Sequence, residues 1–200
     1  MRVVLATGNP GKLQELRAML EPLAIEAVPL AQFTRAAIPE TGLTFVENAI
    51  IKARHAAQLA QMPAIADDSG LEVDALHGAP GIYSARYAGE HASDDDNLRK
   101  LLAALAGRPA AERSARYCCA LAYMRWEHDP FPLISQASWE GRIATAPRGS
   151  GGFGYDPIFE LPQRGITVAE LPAAAKNQLS HRGQALRGLV AQLKTEAAGA

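Results

Sequence analysis

Apolar positions along the chain fall into short runs and helical stripes. Val3–Ala6 is a brief apolar run that stops at Thr7-Gly8-Asn9-Pro10, which reads as a strand entering a turn. Over Gly11–Leu20, Leu13, Leu16 and Leu20 recur at helical spacing. Phe45–Ala60 reads as a second helix behind Thr44-Phe45-Val46-Glu47, which fits a capping box. Ala64–Ala66 reads as a short buried strand that ends at Asp67-Asp68-Ser69-Gly70. Ser93–Leu105 is predicted as a third helix. Arg116–Met124 and Leu133–Thr145 are predicted as long strands of a hairpin turning near Glu127–Pro132. Ser180–Lys194 aligns Leu186, Leu189, Val190 and Leu193 on one helical face, and the alanine-rich tail beyond it is expected to fray. This alternation of strands and helices, with no repeat or linker, predicts one α/β sheet domain over residues 1–200.

Composition narrows the class. At 48% hydrophobic and 20% charged residues the chain is an ordinary globular one, not a disordered one. Twenty Lys plus Arg against 21 Asp plus Glu leave a net charge of −1, which argues against a nucleic-acid partner. A small anionic ligand needs only a few placed cations and stays possible. Cys118 and Cys119 are strand neighbours pointing to opposite faces, and no CxxC pair or Cys/His cluster accompanies them. They read as part of a buried strand in a reducing compartment. No apolar run approaches a membrane span, and the first run breaks too early for a signal peptide. A cytoplasmic protein without a membrane partner is expected.

Five segments carry candidate chemistry. Thr7, Gly8, Asn9, Pro10, Gly11 and Lys12 join a strand to a helix, with Asn9 as N-cap and Pro10 at the first helical position. Such a turn is either an ordinary cap or an anion site, and Lys12 at the positive end of the helix dipole favours the anion. Ser180-His181-Arg182 opens the last helix with the same oddity, and Lys176 lies upstream in a polar loop. Asp67-Asp68-Ser69-Gly70 is either a turn or a carboxylate pair for Mg²⁺ or water activation; repulsion between neighbouring acids favours the pair. Glu40 and Glu47 are further acids. Asn48 and Lys52 share one helix face, which on spacing alone reads as solvated. The glycine-rich run around Phe153, Gly154, Tyr155 and Asp156 is either an aromatic plug or a loop that stacks on a planar base. Asp94-Asp95-Asp96 is explained by helix capping, and His55, His77, His91 and His128 lack ligand spacing.

In this order the motifs resemble the bacterial non-standard-purine nucleoside triphosphate pyrophosphatases, the inosine triphosphatase family. The matching stretches are Leu5–Lys12, Glu40–Ala49, Ile65–Leu71, Gly78–Tyr87, Gly151–Pro157 and Lys176–Arg182. The resemblance implies a long curved mixed sheet with flanking helices, forming two lobes of one domain around a deep cleft. It implies Mg²⁺-dependent hydrolysis of ITP, dITP and XTP to monophosphate and pyrophosphate, clearing deaminated purines from the nucleotide pool. It further implies a homodimer. On it, Asp68 is the proton acceptor and a metal ligand with Glu40, and Asp67 is a supporting acid. Thr7–Lys12, Lys52 and Ser69 meet the phosphates. Phe153, Gly154, Tyr155 and Asp156 form the base and sugar side, with Phe153 stacking on the purine, and Lys176, His181 and Arg182 read the base or hold the substrate. The one local departure is Ala173-Ala174-Ala175, where relatives often carry acids. Two other readings stay open: a pyrophosphatase for other modified or pyrimidine nucleotides, and a nucleotide sensor without turnover.

Overall fold

A computed structural model describes residues 1–34, 36 and 38–199, with side chains through Glu196. In chain order the elements are β1 (Arg2–Ala6), α1 (Pro10–Leu20), β2 (Glu26–Pro29), α2 (Phe45–Ala60), β3 (Ala64–Val73), β4 (Pro80–Gly81), α3 (Asp94–Ala104), β5 (Ser114–Met124), β6 (Leu133–Ile143), β7 (Phe159–Leu161), β8 (Ile166–Thr167), α4 (Ala173–Leu179) and α5 (His181–Gly199). The strands form a mixed sheet in the order β2-β1-β3-β5-β6-β7-β8, with β4 beside β3. β1 is parallel to β2 and β3, while β3–β4, β6–β7 and β7–β8 are antiparallel. The expected mixed sheet with flanking helices is therefore present. The chain divides into two compact units, Met1–Asp68 with Cys119–Ala137 and Arg182–Ala200, and Ser69–Cys118 with Ser138–His181.

In the first unit the two-residue period of the strands builds two cores. Val3, Leu5, Ile65, Cys119 and Leu121 share one face with Leu16 and Leu20 of α1 and Leu186 and Leu189 of α5. Val4, Ala6, Ala64, Ala66, Ala120 and Ala122 share the other with Ala49, Ala53, Ala56 and Ala57 of α2. Each fully buried leucine contributes about 2 kcal/mol, so the leucine face fixes α1 and α5 on the sheet. Asn9 caps α1, its Oδ1 accepting from the Lys12 amide at 3.0 Å. Thr44 caps α2, and Glu47 reaches back to the Leu43 amide at 2.8 Å.

In the second unit Leu98, Leu101 and Leu105 pack with Leu71, Val73, Tyr117, Ile143, Ile158 and Phe159. Arg113, 3% exposed, donates to the carbonyls of Leu105, Ile143 and Ala144 at 2.7–2.8 Å and so ties down the end of α3.

Four local expectations need correction. β3 does not stop at Ala66 but runs extended through Asp67-Asp68-Ser69-Gly70 to Val73, pairing onward with β4. Sheet pairing and buried side-chain partners override the turn preference of those residues. Lys176 lies in α4, not in a polar loop. Ser180 is extended and closes α4, its amide donating to the Lys176 carbonyl at 2.8 Å, and α5 starts at His181. The tail expected to fray is helical to Gly199.

Candidate active site

Because neighbours on a strand face opposite ways, Asp67 and Asp68 do not confront each other. Asp67 lies on the α1/α5 face. Its Oδ1 is 2.7 Å from Lys12 Nζ, and its Oδ2 accepts from Arg182 Nε at 2.9 Å and Cys119 Sγ at 3.1 Å. Arg182, 2% exposed, also pairs with Glu15 of α1. Burial alone would raise the Asp67 carboxyl, but Arg182 and then Lys12 overcome it and hold it well below the usual carboxylate range. Asp67 is thus a buried, charged hub that ties Lys12, Arg182 and Cys119 together. The cations at the starts of α1 and α5 have carboxylate partners within the protein, so their clash with the helix dipoles needs no bound anion.

Asp68 lies on the α2 face. Its Oδ1 accepts from Lys52 Nζ at 2.7 Å, and the same ammonium donates to Glu40 Oε1 at 2.7 Å. Asn48 and Lys52 are buried, at 0% and 8% exposure, so the solvated-face reading is overturned. Asn48 accepts from the Gly42 amide at 2.8 Å. A side chain at position 42 would sit 2.6 Å from Glu47 Cβ and 2.8 Å from Asn48 Oδ1, so glycine is required where the loop meets α2. Lys52 is shared by two acids. Burial would lower it, yet Asp68 and Glu40 keep it charged. Burial raises Asp68, and Lys52 and Lys12 only partly oppose it. Asp68 Oδ2 is buried and has no hydrogen-bond partner among the described residues.

That oxygen, with the Glu40 carboxylate bound to the same lysine, offers hard oxygen donors of the kind Mg²⁺ takes. Among the described residues no group of three His, Cys, Asp or Glu forms a closed cage. In the β1–α1 turn, Thr7 Oγ1 accepts from the Asn9 amide at 3.2 Å, and Gly8 borders open space.

In the second unit Asp156, 3% exposed, anchors the aromatic loop. Its Oδ2 accepts from Lys176 Nζ at 2.6 Å and the Phe153 amide at 2.9 Å, and its Oδ1 from Tyr117 OH at 3.0 Å. Burial raises this carboxyl against the pull of Lys176. Lys176 Nζ lies 4.4 Å from the centroid of the half-buried Phe153 ring, within cation–π range. The His181 ring stacks on Tyr117, with centroids 4.8 Å apart and planes at 12°. Tyr155 turns into the core and donates to the Ser84 carbonyl at 2.8 Å. Tyr155 is therefore the plug and Phe153 the loop's outer aromatic. Ser69 is half-buried in β3.

The first unit thus gathers Lys12, Glu40, Lys52, Asp67, Asp68 and Arg182; the second gathers Phe153, Asp156, Lys176 and His181. Glu15, Cys119 and Tyr117 were not foreseen. The signal available for Glu15 is its place one helical turn after Lys12; Tyr117 and Cys119 alternate along a strand already read as buried.

Residues 3–192 match the model of the Ham1 family. A dITP/XTP pyrophosphatase of Vibrio parahaemolyticus is 58% identical over 197 residues, 98% of each chain. One of Vibrio cholerae is 57% identical over 94% of each. A solved HAM1 protein from Coxiella burnetii superposes with a TM-score of 0.87 at 50% identity, covering all of both chains. A nucleoside-triphosphatase / dITP/XTP pyrophosphatase from Mycobacterium abscessus gives 0.75 at 41% identity, covering 94% of this chain and 98% of that one.

Proposed function

The chain belongs to the Ham1 family, and from that premise we propose that it is a nucleoside triphosphate pyrophosphatase for ITP, dITP and XTP. A water attacks the α-phosphorus, its proton passes to Asp68, and the bond from that phosphorus to the bridging oxygen breaks. The products are a nucleoside monophosphate and pyrophosphate. The observation that carries this reading is Asp68 itself: a buried carboxylate with one oxygen on Lys52 and the other without a hydrogen-bond partner among the described residues; burial also raises its pKa, as a proton acceptor requires.

The amides and side chains of Thr7–Lys12, with Lys52 and Ser69, meet the phosphates. Lys12 and Lys52 offset negative charge that builds on the leaving pyrophosphate. Mg²⁺, held by Asp68 and Glu40, supplies further charge compensation when bound. Phe153 stacks on the purine, and Gly154, Tyr155 and Asp156 shape that side from behind it. Lys176, His181 and Arg182 select the base. Hypoxanthine and xanthine carry a carbonyl at C6 where adenine has an amine, and facing that edge with donors leaves adenine mismatched. An unpaired buried polar group costs ~1–3 kcal/mol, enough for substantial discrimination. We further propose that the two units form one domain, that the chain acts as a homodimer in the cytoplasm, and that its role is to keep deaminated purines out of nucleic acid. No helix of the described residues is long and apolar enough to cross a membrane.

The test is Asp68→Asn. Turnover is expected to vanish while nucleotide binding, measured by calorimetry, largely survives. Near-normal turnover would overturn the assignment of the proton acceptor.

A further inference from the structure

The three consecutive acids at the start of α3 look alike in sequence and do three different things. Asp96 completes the capping box with Ser93, its Oδ2 accepting from the Ser93 amide at 3.0 Å. Asp95 pairs with Arg99 one turn along the helix. Asp94 points away from its own helix: its Oδ2 accepts from the Gly154 amide at 2.7 Å, sixty residues on. Helix capping accounts for Asp96 and helix pairing for Asp95; neither accounts for Asp94.

Gly154 lies between Phe153 and Tyr155, in the left-handed region at φ +62°. Two side-chain bonds hold the residues on either side of Gly154. The Phe153 amide donates to Asp156 Oδ2, and Tyr155 OH donates to the Ser84 carbonyl. Both anchors lie inside the unit. The Asp94 bond lies at an exposed edge of the loop. The same helical turn also grips the other side of the loop's footing. Buried Asn97 accepts from the Ala88 amide at 2.7 Å and donates to the Ala85 carbonyl at 3.2 Å, next to Ser84. The N-terminal turn of α3 therefore braces both the segment that receives Tyr155 and the peptide that follows Phe153.

We infer that Asp94 is a positioning residue that sets the Phe153 ring through the Gly154 amide, and so tunes affinity for the purine. The inference rests on the reading that Phe153 stacks on the base. Asp94 touches no reacting group, so its loss weakens substrate binding and leaves the chemical step alone.

The test compares Asp94→Ala, Asp94→Asn and Asp95→Ala, measuring KM and kcat for ITP and exchange of the Gly154 amide by NMR. Asp95→Ala removes the same charge from the same helix turn, so it controls for helix stability and dipole effects. Asp94→Ala is expected to raise KM roughly three- to tenfold, about the worth of one exposed charge-assisted hydrogen bond, with kcat within about twofold. The Gly154 amide should exchange faster. Asp94→Asn, which keeps an acceptor oxygen, should recover most of both, and Asp95→Ala should change neither. An unchanged KM in Asp94→Ala, or an equal change in Asp95→Ala, would overturn the inference. A silent Phe153→Ala would instead overturn the base-stacking reading, and the Gly154 exchange rate would still decide for or against Asp94.

Discussion

Asp67 and Asp68 are adjacent and chemically identical, yet amide substitution should affect them in opposite ways. Asp67→Asn removes the charge that holds Lys12, Arg182 and the Cys119 thiol, in a side chain with 0% exposure. The loss leaves two cations crowded around a neutral amide, with Glu15 as the remaining acid named on Arg182. Breaking a buried ion pair costs about 3–5 kcal/mol. In a chain of this size each kcal/mol moves the melting temperature by roughly 2–4 °C, so a fall of roughly 6–20 °C is expected. Asp68→Asn removes a carboxylate that burial already strains toward its neutral form, and Lys52 keeps Glu40. Its stability change should stay within about 1 kcal/mol. The assay is thermal melting of both variants without metal, beside pyrophosphate release. Asp67→Asn should melt early, and Asp68→Asn should melt near wild type with no turnover. Equal melting of the two variants would refute the division of labour between the two faces of β3.

Gly152 has φ +74°, and a Cβ there would lie 2.0 Å from Asp156 Oδ2. Gly152→Ala should therefore displace the carboxylate that holds Lys176 and Tyr117, raising KM and lowering the melting temperature; an unchanged KM would contradict this. Asp129, 2% exposed, accepts from the Arg125 side chain and the Arg125 and Phe131 amides, which hold it at about 2 against an ordinary 3.8. A depressed carboxyl stabilises the fold above its unfolded value and loses that contribution as pH falls toward its folded value. Wild type should exceed Asp129→Asn by ~2 kcal/mol near neutrality. The gap should close between about pH 4 and 2 in urea titrations, and a constant gap would refute the assignment. Arg182→Ala should lower stability, since Asp67 and Glu15 lose a cation, and should narrow the ITP-over-ATP preference; an unchanged ratio would remove Arg182 from base selection.

The helices whose burial comes from local repetition were legible. α2 runs from Phe45 to Ala60 as read, because Thr44 marks its start and alanines at helical spacing mark its packed side. What sequence misread was set by distant residues. The turn formers Asp67–Gly70 stay extended because Lys12, Lys52 and Arg182 neutralise their carboxylates and β4 pairs onward from Leu71. Lys52 looks solvated in sequence because its partners, half-buried Glu40 and buried Asp68, lie 12 and 16 positions away. The cations at two helix starts stand out in sequence, but the carboxylates that partner them come from β3 and α1 and do not. α4 escaped because its seven residues are too few to show a period.

The central claim is tested most directly by incubating the protein with Mg²⁺ and ITP, dITP, XTP, ATP or GTP, and quantifying pyrophosphate and orthophosphate separately. Pyrophosphate released mainly from ITP, dITP and XTP is the predicted result. Orthophosphate as the primary product, or equal turnover of ATP and GTP, would contradict it.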